Sequence, residues 1–264
     1  WRSTYGESPE YVLFGDWRVC FQTYADLYKL DPDTIKIARA REVMEYQMST
    51  SKLDYWHWVD ALYMVMPVMV KMYDITKNPL YLEKLHQYLT VTDSIMYDRE
   101  VGLYYRDAKY PYPFHKTING KKDFWSRGDG WAFAAFAKVL KQLPAEDKYR
   151  EEYITRFQTM AKSIAACQQP EGYWTRSLID PEQAPGPETS GTALFTYGFL
   201  WGINNGLLNA DIYSPIVEKA WNYLKTTALQ ADGKIGYIQP VGEKAIPGQV
   251  VDANSCFNFG IGAF

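Results

Sequence analysis

The stretch WVDALYMVMPVMVKMYDIT, residues 58–76, decides the fold class. Its large apolar side chains recur at intervals of three and four residues, at Val59, Leu62, Tyr63, Met66, Val70 and Tyr73. This spacing is the period of a helix that buries one face. The stretch therefore predicts a helix, to which we assign residues 56–76.

The same period continues along the rest of the chain and predicts further helices at 16–29, 33–48, 79–96, 128–142, 147–168, 190–204 and 213–229. Asp31-Pro32 and Asn78-Pro79 support two of the starts, because each places a capping side chain before a Pro in the first turn. The alternation of apolar and polar residues that is typical of strands is almost absent. The chain is thus predicted to be all-α.

A weak internal repeat links the helices. Gly102, Gly172 and Gly233 lie 70 and 61 residues apart, and aromatic side chains follow each of them closely. A glycine at such a place can end a helix in the left-handed conformation. Helical pairs that repeat in this way predict a solenoid or a closed toroid, in which each unit buries its face on its neighbours.

Composition excludes several function classes. The net charge of the 264 residues is -3 and no basic block is present, so we expect neither a nucleic acid nor a membrane as partner. Three separated cysteines and only three histidines show no metal-ligand spacing, so we expect no metal and no cofactor. There is no signal peptide and no long apolar run, and we expect a location in the bacterial periplasm or cytoplasm.

Two carboxylates are candidates for catalysis. Asp60 lies early in an apolar helix among large side chains, where desolvation should raise its pKa and make it a general acid. The alternative is a first-turn Asp that the helix dipole stabilises. Asp16 opens the first predicted helix, either as an N-cap or as a second carboxylate that faces Asp60.

Two loop-to-helix junctions are candidates for substrate binding. In the stretch 124–131, FWSRGDGW, Arg127 and Trp131 could project together from one helical turn and bind an acidic sugar, or they could simply pack on each other. The two glycines between them would let the backbone approach a ligand. In the stretch 188–192, ETSGT, Thr189 either belongs to a helix cap or offers its hydroxyl to a ligand.

The ordered set of these motifs resembles one enzyme family. DWRVCFQTY (16–24), WVDALYM (58–64), GLYYRD (102–107), FWSRGDGW (124–131) and ETSGT (188–192) are similar to the unsaturated rhamnogalacturonyl hydrolases of glycoside hydrolase family 105. The unsaturated glucuronyl hydrolases of family 88 share a looser version. The resemblance implies one domain over residues 1–264 with the fold of an (α/α)6 barrel. Because that barrel has twelve helices, we expect it to be incomplete at both ends of this chain.

The resemblance also implies a chemistry. Members of the family hydrate the 4,5 double bond of the unsaturated galacturonyl residue that pectin lyases leave at the non-reducing end. Asp60 matches their acid/base and Asp16 their second Asp, and the residues that match the lining of the unsaturated-sugar site are Trp58, Met64, Arg127 and Trp131. Arg106 stands where some relatives have His, so we expect it to bind the substrate carboxylate or to tune Asp60.

The expected substrate is therefore a small unsaturated acidic oligosaccharide of the rhamnogalacturonan type, and we expect a monomer. One alternative is an unsaturated glucuronyl hydrolase that acts on other lyase-generated oligosaccharides, which would differ only where the leaving sugar binds. Another is a helical toroid that binds sugar without activity.

Overall fold

The computed structural model describes residues 13–264, and over this range the prediction of an all-α fold is confirmed. The elements are α1 Gly15–Arg18, α2 Cys20–Leu30, α3 Ala38–Ser49, α4 Asp60–Thr76, α5 Leu80–Met96, β1 Tyr97–Asp98, β2 Leu103–Tyr104, α6 Ser126–Leu140, α7 Arg150–Ala165, α8 Thr189–Asn204, α9 Ala210–Tyr223 and α10 Asn258–Ala263. Short 3-10 turns at Thr34–Lys36 and Pro181–Gln183, and a π-helical turn at Leu224–Ala228, complete the list.

The helices alternate between an inner and an outer layer. Helices α2, α4, α6, α8 and α10 pack side by side in chain order, and α3, α5, α7 and α9 return along the outside. Inner helix α6 is buried at nearly every position because it lies between α4, α7 and α8. This is the arrangement of a helical toroid, as the sequence predicted. No helix in residues 13–264 is long and apolar enough to cross a membrane.

Several helix boundaries differ from the predicted ones. The first predicted helix is broken at Val19 into α1 and α2, and the predicted helix 33–48 is a single 3-10 turn followed by α3. Helix α4 begins at Asp60 and not at residue 56, because the backbone before it forms an isolated antiparallel bridge between Trp58 and Asp107. The Val59 amide donates to the Arg106 carbonyl at 2.8 Å. Tertiary pairing thus overrides the helical period in this segment.

The three repeated glycines have the predicted left-handed conformation, with φ of +79° at Gly102, +98° at Gly172 and +84° at Gly233. Each closes a tight turn that follows a helix. In the first of these turns β1 and β2 form an antiparallel ladder that pairs Tyr97 with Tyr104. A side chain at Gly172 would also collide with the Lys219 carbonyl, 2.2 Å from its Cβ.

Pro67 interrupts the hydrogen bonding of α4 one turn beyond Met64. A proline has no amide hydrogen, so the Tyr63 carbonyl loses its helical donor. The Gln22 side-chain amide from α2 replaces that donor at 2.7 Å, and its oxygen accepts from the Lys138 ammonium of α6 at 2.7 Å. Three neighbouring inner helices, α2, α4 and α6, are therefore tied together at this level.

Candidate active site

A cavity of about 260 Å³ lies where the first turns of several inner helices converge. Five of the eight predicted site residues line it: Asp16, Asp60, Met64, Arg127 and Trp131. The remaining lining residues are Val19, Trp125, Val241, Gly242 and Phe259. The structure thus brings together side chains that lie more than 100 positions apart in the sequence.

Asp60 is the first residue of α4 and sits on the wall of this cavity. Burial raises its pKa to about 6, and the charge of Asp16 acts in the same direction, whereas Arg106 and Arg127 lower the pKa. Its Oδ2 oxygen is buried and has no hydrogen-bond partner among the described residues. A carboxyl group of this kind is largely protonated below pH 6 and can give its proton to a ligand.

Asp16 contributes a second carboxylate from α1 on the same cavity. It is more exposed than Asp60, and partial burial raises its pKa while Arg106 opposes the rise. Helix α1 can approach α4 closely because Gly15 has no side chain: a Cβ there would lie 3.3 Å from Trp58 and 3.4 Å from Ala61. The two carboxyl groups therefore face one space from adjacent inner helices.

Arg127, the second residue of α6, is nearly wholly buried. It donates to the carbonyls of Gln239 at 2.7 Å and Pro240 at 2.8 Å, and its guanidinium lies between the rings of Trp125 and Phe259, at 4.6 and 4.5 Å from their centroids. Through these bonds Arg127 holds the backbone at Gln239 and Pro240 in place beside the cavity. Burial lowers its pKa, which Glu188 and Asp60 partly offset.

Trp131 lies one turn after Arg127 and packs its indole against the Tyr63 ring, with centroids 4.6 Å apart. Only 7% of the residue is exposed, and that part faces the cavity beside Met64. A fixed aromatic face next to a carboxyl group suits a sugar ring, whose C–H face packs on the ring while its hydroxyls reach polar atoms.

Trp58 and Arg106 line a second cavity, of about 340 Å³, together with Phe14, His57, Asp107, Ala108 and Lys109. The Trp58 ring is buried and stacks on Phe14 at 4.8 Å. Arg106 pairs with Asp107 at 2.5 Å and with Glu243 at 3.6 Å, and its buried Nε has no partner within residues 13–264. Its charge nevertheless acts on both Asp60 and Asp16. The two residues are therefore neighbours of the first cavity and do not line it.

The structure does not bring Thr189 to either cavity. The residue is fully buried, and its hydroxyl bonds the Tyr223 hydroxyl and the Gly236 carbonyl, each at 2.8 Å. Its amide donates to Tyr237 at 2.9 Å. The cap interpretation of this junction is the one that the geometry supports, since Glu188 accepts from the amides of Ser190 and Gly191.

The two glycines beside Asp129 serve helix packing and not ligand approach. A Cβ at Gly128 would lie 2.9 Å from Val59, and one at Gly130 would lie 3.1 Å from Leu194. Asp129 itself is buried away from the cavity, where it accepts from the Tyr104 amide at 2.8 Å. Among residues 13–264, no group of three or more His, Cys, Asp or Glu side chains could hold a metal ion.

Sequence reasoning missed five lining residues. Trp125 stands two positions before Arg127 and could have been found from that neighbourhood. Val241, Gly242 and Phe259 belong to stretches without helical period or motif, and Val19 occupies the break between α1 and α2. Val19 lies within the motif at 16–24 but was not singled out, and for the other three the sequence carried no signal.

Comparisons with known proteins show the family of this chain. A family model described as Glycosyl Hydrolase Family 88 matches residues 3–264. The chain belongs to this family.

It is 37% identical over 220 residues to an unsaturated 3S-rhamnoglycuronyl hydrolase of Formosa agariphila, covering 82% of this chain and 57% of that protein. It is 36% identical over 192 residues to a protein of the same name from Alteromonas sp. strain LOR, covering 73% of this chain and 46% of that protein. The chain thus spans about half the length of these curated relatives.

Solved structures show the same fold for this family member. A structure named as a polysaccharide lyase has 74% identity and a TM-score of 0.94, and the match covers all of this chain and 75% of that one. A possible member of family 105 from Salmonella enterica has a TM-score of 0.74 at 19% identity, with 92% and 67% of the two chains covered. At that identity the second likeness concerns the fold alone. Together with the family match, it confirms the predicted relationship.

Proposed function

We propose that this chain carries the catalytic site of an unsaturated uronyl hydrolase, with Asp60 as proton donor and then as base. The observation that carries the proposal is the state of Asp60: a carboxyl group on the cavity wall whose pKa is raised to about 6 and whose Oδ2 has no partner. Asp16 supports it by adding negative charge nearby, which favours the protonated form of Asp60.

In the proposed reaction the protonated Asp60 adds its proton to C4 of the 4,5-unsaturated uronyl residue. The positive charge that develops at C5 is shared by the ring oxygen. Water then adds to C5 and returns a proton to the Asp60 carboxylate, which restores the acid. The resulting hemiketal opens at its bond to the ring oxygen, and C1 becomes a hemiacetal that expels the next sugar. One carboxyl group performs both proton transfers, so no glycosyl-enzyme intermediate and no carboxylate pair at a set distance is needed.

The side chains around Asp60 fit a small acidic sugar. Trp131 and Met64 offer an apolar face, and Arg106 and Arg127 place two positive charges near Asp60. The names of the curated relatives join rhamnose to a glycuronyl residue, which supports a substrate in which the unsaturated uronyl residue is attached to rhamnose. We propose rhamnogalacturonan-type oligosaccharides as substrates, with other unsaturated uronyl oligosaccharides as the alternative.

The test is to follow the ultraviolet absorbance of the enoate in lyase-generated unsaturated oligosaccharides. The wild-type protein should bleach it, and Asp60→Asn should lose all but a small fraction of the rate, about 10²-fold or more if proton donation limits turnover. Glu218→Gln, on the exposed face of α9, serves as the control and should keep the wild-type rate. If Asp60→Asn retains most of the rate, Asp60 is not the acid. If the wild-type protein binds the oligosaccharides without bleaching them, the chain is a sugar-binding toroid.

The name of the most identical structure reported above supports a second candidate, a polysaccharide lyase. A lyase takes the proton from C5, which is a weak carbon acid and calls for a strong base. Among the described residues, no Tyr, Lys or His lines the cavity that holds Asp60. The same assay separates the two activities, because a lyase creates the enoate absorbance from saturated polymer whereas a hydrolase removes it.

A further inference from the structure

The segment Gln239–Gln249 forms a clamped loop beside the active site. The Gln239 side chain accepts from the Trp125 indole at 2.8 Å and donates to the Lys244 carbonyl at 2.9 Å. At the far end, Arg176 donates to the Gln249 carbonyl at 2.7 Å. The tip between these anchors is exposed, with Val241 84% exposed although it lines the first cavity. The loop is thus held firmly at its ends, and its tip reaches the mouth of the cavity.

Glu243 extends from this tip to Arg106. The Glu243 carboxylate lies 3.6 Å from the Arg106 guanidinium, and the carboxylate also hydrogen-bonds the Tyr110 hydroxyl. Val241 and Gly242, its neighbours in the chain, line the first cavity, whereas Arg106 lines the second. The Glu243–Arg106 ion pair therefore spans the boundary between the two cavities.

The charges around Arg106 show which contact is free to change. Asp107 pairs with it at 2.5 Å but is itself buried, accepts from the Lys109 amide and belongs to the backbone bridge with Trp58. Asp60 and Asp16 interact with Arg106 through charge alone. Glu243 is 46% exposed at a loop tip. It is the one of these four carboxylates that can leave Arg106 without disturbing a helix or a bridge.

We propose that Glu243 is a specificity-determining residue that competes with anionic groups of the substrate for Arg106. This inference rests on the proposed function and adds a residue to its site. An anionic group that takes the place of Glu243 exchanges one negative charge for another, so the surroundings of Asp60 keep their charge. A neutral sugar has no means of displacing Glu243 and leaves the ion pair closed. Glu243 thus lowers the affinity for acidic ligands, so that only an anionic group able to displace this half-exposed carboxylate reaches Arg106.

The test uses Glu243→Gln, which keeps the shape of the side chain and removes its charge. Galacturonate and galactose are the probes, because they differ only in the acidic group, and binding is followed by the fluorescence of the cavity tryptophans Trp125 and Trp131. Galacturonate should bind about two- to fivefold more tightly to Glu243→Gln than to wild type, since an exposed ion pair of this size no longer has to open. Galactose should bind equally to both, and high salt should reduce the gain.

Arg106→Gln provides the decisive comparison. In that background Glu243→Gln should no longer change galacturonate affinity, since the two residues act through each other. Glu218→Gln on α9 is the matched control for loss of a surface charge. An unchanged or weaker galacturonate affinity in Glu243→Gln, or a gain that persists without Arg106, overturns the proposal.

A second readout needs neither ligand nor turnover. The charges that act on Asp60 are those of Arg106, Asp16 and Arg127. Arg106 in turn faces the negative charges of Asp107 and Glu243. Without the charge of Glu243, the positive charge of Arg106 acts more strongly on Asp60. The carboxyl carbon resonance of Asp60, assigned by its absence in Asp60→Asn, should then titrate at a pH lower by roughly 0.3–1 unit. This shift is expected even if the chain does not hydrate unsaturated sugars, so its absence counts against the role of Glu243 alone.

Discussion

Replacing Asp60 by Asn should make the folded protein more stable at high pH, although it removes the proposed acid. Burial raises the pKa of Asp60 from 3.8 to about 6, a difference of about two units between the unfolded and the folded chain. Each unit corresponds to about 1.4 kcal/mol, so the buried carboxylate costs roughly 3 kcal/mol of unfolding free energy once the pH exceeds both pKa values.

The sign follows from proton binding. Between about pH 4 and pH 6 the folded protein holds a proton on Asp60 that the unfolded chain has lost. The contribution of Asp60 to the unfolding free energy of the wild-type protein therefore falls across this range and is constant above it. Asn does not titrate, so the advantage of Asp60→Asn over wild type should grow by roughly 3 kcal/mol from about pH 4 to about pH 8.

Urea unfolding followed by circular dichroism, repeated at intervals of one pH unit, measures this difference. The thermal midpoint at high pH should rise by roughly 5–10 °C for a chain of this size. Asp74→Asn is the control of opposite sign, because hydrogen bonds from Lys29 and Lys77 lower the pKa of Asp74, so its charge stabilises the fold above about pH 4. An Asp60→Asn advantage that does not change with pH would refute the argument that Asp60 titrates from a buried site.

Two further predictions concern the scaffold of the site. Thr189→Val should lower the unfolding free energy by about 1–3 kcal/mol, because it leaves the buried Tyr223 hydroxyl without its partner. The KM should stay within about twofold of wild type. A large rise in KM without loss of stability would mean that Thr189 binds the substrate. Gln22→Ala should lower the unfolding free energy by about 1–2 kcal/mol in wild type. The loss should be distinctly smaller in a Pro67→Ala background, because the Tyr63 carbonyl regains a helical donor there. Equal losses in a double-mutant cycle measured by urea unfolding would contradict this.

The period of the apolar residues was sufficient to predict the all-α class, whereas the toroid followed from the repeat and the family resemblance. The apolar residues at 59–73 predicted a helix correctly, but α4 is buried at every position from Val65 to Met72 and not on one face alone, because it is an inner helix with neighbours on several sides. Helix ends were less well predicted. Trp56 and Trp58 continue the apolar pattern, yet they precede α4, because the Val59 amide donates to the Arg106 carbonyl, more than 40 residues away in the sequence. A local pattern contains no information about such a partner.

The site was predictable where function and helix geometry coincide. Arg127 and Trp131 are four residues apart and share a helical face, so both reach the same cavity. Thr189 was assigned to the substrate because a hydroxyl at a helix start suits a ligand as well as a cap, and only the position of Tyr223 decides between the two. Glu243 carried no signal at all. Its importance arises from the loop that Arg127 holds against the cavity, a contact between segments more than 110 residues apart.

The acid role and the stability effect of Asp60 can be tested against each other, because both depend on one ionisation. If protonated Asp60 starts the reaction, kcat/KM should fall tenfold per pH unit above about pH 6, since this ratio reports the free protein. The stability advantage of Asp60→Asn should stop growing at the same pH, because the folded protein loses the Asp60 proton there. Glu243→Gln should move both transitions to lower pH by the same amount, because it alters the charge around Arg106 in the free protein. Two transitions that lie apart, or that move separately, would mean that the group which limits the rate is not Asp60.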